Sequence, residues 1–205
     1  EADVHAYASL RHLFEAAVAR HRERPAFTCM GTTLRYGEIE RLSRDFAGYL
    51  LGELKLKKGD RVAIMMPNCL QYPIAILGVL RAGLTVVNTN PMYTARELKH
   101  QLVDSGASVL VVMDNFGNVA QDVLAQVPGV RAVTTGLGDM LGFPKGLIVN
   151  LVLKHVKKMV PDFDIPGAVR FRDTLTLGRM HQLPEIRTTP EDLAYWDEAA
   201  AGACA

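Results

Sequence analysis

The polar residues best suited to chemistry are few, and the densest group is Asn88, Thr89, Asn90 and Tyr93. They follow a short apolar segment, so we expect them to form the loop that leaves a buried strand. Their amides and hydroxyls could support a bound substrate. Asn and Thr also commonly bond the backbone in turns and caps, and the sequence favours that interpretation.

Two titratable residues stand apart from this loop. His100 falls on the exposed side of an expected helix, where a solvated imidazole is favoured over a catalytic one. Asp114 ends an expected strand, at the edge of the sheet where parallel folds bind ligands. Helix capping near Asn115 is favoured for it. The residues alone therefore indicate no catalytic side chain.

Motifs for nucleotides and metals are also missing from the sequence. Gly136, Gly138 and Gly142 approach the G-x-G-x-x-G dinucleotide fingerprint, but Leu141 occupies the place of the third glycine. We expect a flexible loop leaving the sheet. The sequence has no Walker A loop, no G-x-S-x-G elbow and no H-E-x-x-H zinc pattern. We therefore assign no cofactor-binding or metal-binding residue.

Lys154, Lys157 and Lys158 crowd the end of an expected amphipathic helix over residues 145–160. Two interpretations stay open for this helix. It could lie on an anionic membrane through its lysines and apolar side. Alternatively, it packs on its own protein with a solvated basic edge, which the pattern favours. The apolar side is formed by Leu147, Ile148, Leu151, Val152, Val156 and Met159.

The elements that position these residues alternate between short apolar strands and amphipathic helices. Asn68 is expected to cap the first helix, and Thr94 and Glu97 to form a capping box on the second. Right-handed crossovers fold such a chain into a doubly wound, largely parallel sheet flanked by helices, an α/β fold. The expected strands cover residues 61–66, 84–87, 108–113 and 130–134, and the expected helices 68–80, 95–105 and 119–126.

Other elements are expected outside this alternation. Ser9 should cap a helix that runs to about residue 21, and a second helix covers about 38–53. Residues 26–30 and 32–36 are expected to form a small β-hairpin outside the parallel core. A short helix is expected at 171–177.

Composition narrows the class of protein. The chain has 205 residues with a net charge of +1, which gives no argument for nucleic-acid binding. Cys29, Cys69 and Cys204 are odd in number and fit no metal or redox spacing, which indicates a reducing compartment without a disulfide framework. No signal peptide is visible, and we expect a cytoplasmic protein.

Several sequence blocks resemble the adenylate-forming, AMP-binding superfamily. The block Leu34-Arg-Tyr-Gly-Glu-Ile resembles its first core motif, with Arg35 in place of the usual Ser or Thr. Residues 80–91 resemble the second core motif, and residues 88–97 are similar to the version in long-chain fatty acyl-CoA synthetases. The resemblance covers about residues 7 to 195, with further matches at 59–64, 66–73 and 156–161.

The resemblance implies a ligase that uses ATP and Mg²⁺ to activate a fatty acid as an acyl-adenylate, which coenzyme A then attacks. The acyl-CoA synthetase-like fold is implied, with residues 1–195 as an incomplete N-terminal part of the adenylation domain. The resemblance also makes Asn88, Thr89, Asn90 and Tyr93 candidates for support of the acyl site. Residues 196–205 are an alanine-rich tail without family likeness, expected to be disordered. The family's glycine-rich phosphate loop and catalytic lysine are not found. The resemblance therefore implies a fragment that is inactive alone and holds neither ATP nor Mg²⁺.

Two other classes stay open beside this ligase. One is a non-catalytic scaffold or membrane-binding module, and the other, disfavoured by Leu141, is a dinucleotide-binding oxidoreductase. A homodimer and peripheral attachment to the inner face of the cell membrane are further expectations.

Overall fold

The computed structural model describes residues 9–189 and 192–196. Its helices are α1 (Leu10–His21), α2 (Tyr36–Gly48), α3 (Gln71–Arg81), α4 (Ala95–Ser105), α5 (Gly117–Leu124), α6 (Lys145–Leu151) and α7 (Phe171–Gly178). Its strands are β1 (Pro25–Cys29), β2 (Thr32–Arg35), β3 (Arg61–Met65), β4 (Thr85–Asn88), β5 (Val109–Met113), β6 (Arg131–Thr135), β7 (Val169–Arg170) and β8 (Tyr195–Trp196).

The centre of the fold is a six-stranded sheet in the order β7-β6-β5-β3-β4-β8, and every pair of neighbours is parallel. Alternate residues of its strands enter two separate cores, so both faces are covered. Helices α2, α3 and α7 pack on one face, and α4 and α5 pack on the other. The predicted doubly wound α/β fold is confirmed.

Helix α4 begins and ends as the sequence predicts. The Thr94 hydroxyl accepts a hydrogen bond from the Glu97 backbone N–H, and the Glu97 carboxylate accepts one from the Thr94 N–H at 2.8 Å. Gly106 ends the helix in the left-handed conformation, with φ of +60°. Helix α3 differs from its prediction: it begins at Gln71 and has no side-chain cap, so the role expected for Asn68 is wrong.

The amino-terminal elements form beside the parallel sheet. Ser9 caps α1 as predicted, and β1 and β2 form the predicted antiparallel hairpin as a sheet of their own. Helix α2 continues into a π-helical turn over Tyr49–Glu53. Helix α2 crosses α7 at close range. A Cβ atom added to Gly178 of α7 would lie 1.7 Å from the backbone oxygen of Asp45 in α2. Glycine fits this contact because it has no Cβ atom.

Two short strands, β7 and β8, are not predicted by the sequence pattern. β7 pairs with β6, and β8 pairs with β4 so that Trp196 lies opposite Val87. Trp196 was assigned above to the alanine-rich tail, whereas its ring packs against the core face that carries α4. Residues 197–205 lie outside the described part, and disorder there stays a prediction.

The helix expected over residues 145–160 is shorter in the structure. α6 ends at Leu151, and a π-helical turn over Val152–Val156 follows it. The remaining residues up to Pro161 are not helical.

Candidate functional site

The candidate site lies at the carboxyl edge of the parallel sheet. β3 is flanked by β4 on one side and by β5 on the other, so the chain reverses its direction of winding there. Such a reversal opens a crevice beyond the carboxyl ends of the strands, where open α/β sheets bind ligands. The loops after β3, β4, β5 and β6 therefore border one edge.

Arg170 organises one half of this edge. Its guanidinium donates hydrogen bonds to both carboxylate oxygens of Asp114, at 2.8 and 2.9 Å. It also donates to the Asp139 carboxylate at 3.0 Å and to the Thr134 hydroxyl at 3.0 Å. One side chain thus joins the end of β5, the end of β6 and the loop that follows β6.

The two carboxylates change the acidity of Arg170. Burial lowers the pKa of the guanidinium, but the hydrogen bonds and charge of Asp114, and then those of Asp139, outweigh burial and raise it. The group is therefore a fixed cation, and its net role is to hold two acidic loops together.

This arrangement corrects the expected role of Asp114. Its side chain pairs with Arg170, and the short 3-10 helix Asp114–Phe116 has no side-chain cap. Arg170 itself was missed from the sequence because the two-residue strand β7 leaves no periodic signal. The available signal was an arginine immediately before a helix that begins at Phe171.

The glycine loop after β6 is held by side chains, which differs from the flexible loop expected. The Gly136 N–H donates to the Asp139 carboxylate at 2.8 Å, and the Gly138 N–H donates to Asn150 Oδ1 at 2.8 Å. The Asn150 amide donates in turn to Asp139 at 2.8 Å. The donors that would face a pyrophosphate in a dinucleotide fold are thus engaged within the chain.

The loop after β4 forms the other half of the edge. The Tyr72 hydroxyl donates to Asn88 Oδ1 at 3.0 Å, and the Gln101 amide donates to the Asn88 carbonyl at 3.0 Å. Asn90 Oδ1 accepts from the Met92 N–H at 3.0 Å, and Thr89 is buried. These bonds fit the turn interpretation, and support of an acyl site by Asn88, Thr89, Asn90 and Tyr93 stays a prediction.

The other residues singled out above lie away from these bonds. His100 is exposed on α4, and Lys154, Lys157 and Lys158 are exposed around the π-helical turn after α6. The structure gathers none of them with Arg170 or Asn88. The apolar residues of the helix expected over residues 145–160 are exposed in the described part of the chain, and both interpretations of this helix stay predictions. They are Leu147, Ile148, Leu151, Val152, Val156 and Met159.

An apolar cavity of about 460 Å³ lies between the hairpin, α1 and α3. Cys69 lines it and is buried, and burial raises the pKa of its thiol to about 11 although two backbone hydrogen bonds act in the opposite direction. Cys29 also lines the cavity, and both thiols are free.

The described residues form no metal-binding cluster of their own. They contain no group of three or more His, Cys, Asp or Glu side chains able to hold a metal ion. Asp114 and Asp139 are the acidic pair at the sheet edge, and Arg170 forms an ion pair with each of them. Within the same residues, no helix combines the length and the apolar character needed to cross a membrane.

Comparison with known proteins decides the family. The family model described as "AMP-binding enzyme" matches residues 14–196. The chain belongs to the AMP-binding enzyme family. The match includes Trp196, the second residue of β8.

Relatives within the AMP-binding family are similar over nearly the whole chain. A long-chain-fatty-acid–CoA ligase of Escherichia coli O6:H1 is 48% identical over 189 residues, which are 92% of this chain and 34% of the relative. One from Haemophilus influenzae is 47% identical over 193 residues, 94% of this chain and 34% of the relative. The chain thus spans about a third of the length of the curated relatives it matches.

A solved structure supports the fold of this AMP-binding chain. The anthranilate CoA ligase AuaEII, in complex with anthranoyl-AMP, superposes with a TM-score of 0.70 and 15% sequence identity. The superposition covers 90% of this chain and 31% of that one. The predicted acyl-CoA synthetase-like architecture is confirmed.

Proposed function

We propose that this chain is the N-terminal part of a long-chain fatty acid–CoA ligase. In that reaction ATP and a fatty acid give an acyl-adenylate and pyrophosphate, and coenzyme A then gives the thioester and AMP. The observation that carries the proposal is the 48% identity to a long-chain-fatty-acid–CoA ligase over 92% of the chain.

Within such an enzyme, the role of this chain is to supply rigid loops at the carboxyl edge of the parallel sheet. Arg170 ties the loops after β5 and β6 together, while Tyr72 and Gln101 tie down the loop after β4. Rigid loops at a sheet's carboxyl edge hold a bound substrate at low cost in conformational entropy. Asn88, Thr89, Asn90 and Tyr93 are then the residues that would support the acyl group.

We also propose that a polypeptide of these 205 residues does not activate a fatty acid by itself. Support comes from the coverage of the relatives, since the chain spans about a third of the length of the ligases it matches. ATP–pyrophosphate exchange with palmitate present should stay at the background rate. Exchange above background by the purified polypeptide would contradict this proposal.

A chimera tests the proposed ligase function directly. The residues of the E. coli ligase that align with residues 14–196 are replaced by this sequence, and palmitoyl-CoA formation is measured. We expect a rate within about tenfold of the parent, since core substitutions that keep volume and pattern are tolerated. A folded chimera that forms no thioester would contradict the proposal.

A second candidate function is a membrane-binding module without catalysis. The exposed apolar side chains of α6 and its neighbouring lysines favour it. Such a module would bind vesicles and would leave the chimera inactive. For the ligase, we propose a cytoplasmic enzyme that attaches to the inner face of the membrane, and a homodimer stays a prediction.

A further inference from the structure

The apolar cavity between the β1–β2 hairpin, α1 and α3 has the dimensions of a small-molecule site. Its volume of about 460 Å³ lies within the range of pockets that bury most of a bound ligand. Among the lining residues, Phe27, Thr28 and Asn68 are exposed, so they mark the mouth of the cavity. The others are buried or half-buried and include Phe14, Cys69, Leu70, Pro73, Ile76 and Leu77.

The walls of the cavity are held by contacts on their far sides. Helix α3 packs closely on α2 through Gly78, where an added Cβ atom would lie 2.7 Å from the Phe46 ring. The hairpin is held at its base, because the Tyr36 N–H donates a hydrogen bond to the Arg24 carbonyl at 3.2 Å. Walls that are fixed in advance reduce the entropy cost of binding a ligand between them.

Hydroxyl groups in the lining are engaged within the chain. The hydroxyls of Thr28 and Thr33 share a hydrogen bond of 2.8 Å across the hairpin. The Tyr72 hydroxyl donates to Asn88 Oδ1 at 3.0 Å, so it bonds to the loop after β4. A ligand in the cavity would therefore meet mainly carbon and sulfur atoms.

The described lining contains no charged side chain. The Cys69 thiol is buried and lies 3.7 Å from the Met66 sulfur. Burial raises the pKa of this thiol to about 11, so it stays uncharged at neutral pH. A charged group placed here would lose its hydration without gaining a partner. The lining therefore selects against carboxylate, phosphate and ammonium groups.

We propose that this cavity binds an uncharged, predominantly hydrocarbon molecule with at most one neutral polar group, such as a medium-chain alcohol. The hydrocarbon part contacts Phe14, Ile76 and Leu77, and the polar group faces the Asn68 amide at the mouth. ATP, coenzyme A and a fatty acid all carry negative charge, so the ligand is distinct from the substrates of the proposed ligase. The inference goes beyond that reaction and does not depend on it.

Two fluorescent probes that share one ring system test the preference for an uncharged ligand. N-phenyl-1-naphthylamine is neutral, whereas 8-anilino-1-naphthalenesulfonate carries an added sulfonate. Titration of the 205-residue chain should give a single saturable site for the neutral probe and an affinity at least about tenfold lower for the sulfonate. No saturable binding of the neutral probe, or equal affinities for the two probes, would overturn the proposal.

A filled cavity tests where the neutral probe binds. Ile76→Trp adds an indole from α3 and should lower the affinity for the neutral probe by at least about tenfold. Val103→Trp is the matched control, because Val103 is exposed on α4 and does not line the cavity. This control should bind within about twofold of the parent. Equal loss in both variants, or no loss in a folded Ile76→Trp chain, would overturn the proposal.

Alkylation of Cys29 gives a readout that needs no variant. Its thiol is free and half-buried in the cavity wall. An amount of 1-decanol that displaces the neutral probe should slow the reaction of Cys29 with iodoacetamide by at least about fivefold. Peptide mass spectrometry measures the rate, and Cys204, outside the described residues, is the reference in the same sample. Unchanged alkylation of Cys29, or equal slowing of both thiols, would overturn the proposal.

Decanoate separates this ligand from the acyl chain of a fatty acid, because it has the chain length of 1-decanol and a charged head group. We expect 1-decanol to displace the neutral probe at a concentration at least about tenfold lower than decanoate. Equal displacement by decanoate would assign the cavity to the acyl substrate and overturn the proposal.

Other occupants of the cavity give different results. Light scattering that finds a dimer of the parent, which Phe27→Asp dissociates, would assign the cavity to a second copy. Probe binding by the 205-residue chain that disappears in the folded E. coli chimera would mean that the longer protein covers the cavity. Either result overturns the proposal, whereas thioester formation by the chimera bears only on the ligase function.

Discussion

The guanidinium of Arg170 and the carboxylate of Asp114 form a two-point ion pair, at 2.8 and 2.9 Å, between strands that are not neighbours. β6 lies between β7 and β5, and the pair reaches across its end. Asp139 and Thr134, from β6 and its loop, complete the contacts. One arginine therefore connects the loop after β5 with the loop after β6.

Removing this arginine should destabilise the sheet edge. Arg170→Met leaves two largely buried carboxylates without a cation, and we expect a loss of about 1–2 kcal/mol in the free energy of unfolding. The value is reduced for solvent screening because the Arg170 side chain is 41% exposed. Urea unfolding of the parent and the variant measures this loss in the free energy of unfolding. The neighbouring exposed Arg172→Met is the control, and equal losses for the two variants would contradict the role of Arg170.

The crossing of α2 and α7 depends on a single glycine. Gly178→Ala would place a methyl group 1.7 Å from the Asp45 backbone oxygen, and the backbones of two packed helices must separate to admit it. We expect a loss of about 3 kcal/mol. Thr176→Ala on the exposed side of α7 should cost far less. A fully stable Gly178→Ala protein would show that the helices cross farther apart than described.

Burial of Cys69 predicts a stability change at alkaline pH. The pKa of its thiol rises from 9.0 to about 11 in the folded chain. The unfolded chain therefore loses the proton first, so the stabilisation is complete below pH 9 and declines as the pH rises through the folded pKa. The stability difference between the parent and Cys69→Ala should shrink by about 2–3 kcal/mol between pH 8 and pH 11. A constant difference would contradict the assignment.

The cap of α4 gives a smaller prediction. Thr94→Ala removes the acceptor for the Glu97 N–H and should cost about 1 kcal/mol, while Thr94→Ser should retain most of the stability. The pKa of Glu97 is lowered by its hydrogen bonds to Thr94. Its contribution is thus present above the ordinary carboxyl pKa and declines as the pH falls through the folded value. Circular dichroism during thermal unfolding compares the two variants, and equal losses would argue against the cap.

The parallel core could be predicted from the sequence because its signals are local. Thr94, Glu97 and Gly106 mark both ends of α4, and the apolar run that begins at Val109 marks β5. Each signal depends on residues that are close in the chain. Helix α4 accordingly matches its predicted bounds.

The contacts at the sheet edge could not be predicted in this way. Arg170 and Asp114 are separated by 56 positions, and β7 and β8 have two residues each. Pairing of so short a strand is decided by the sheet beside it and not by its own propensity. The attachment of α6 to the loop after β6 likewise depends on the hydrogen bond from the Gly138 N–H to Asn150, which no periodicity in the sequence reveals.

The most direct test of the account is palmitate-dependent ATP–pyrophosphate exchange by the E. coli chimera that carries residues 14–196 of this chain. Exchange isolates the first half-reaction, so it does not depend on coenzyme A or on membranes. We predict exchange within about tenfold of the parent ligase, with no stimulation by short carboxylates such as acetate. A folded chimera that binds ATP but shows no palmitate-dependent exchange would contradict the assignment of this chain to a long-chain fatty acid–CoA ligase.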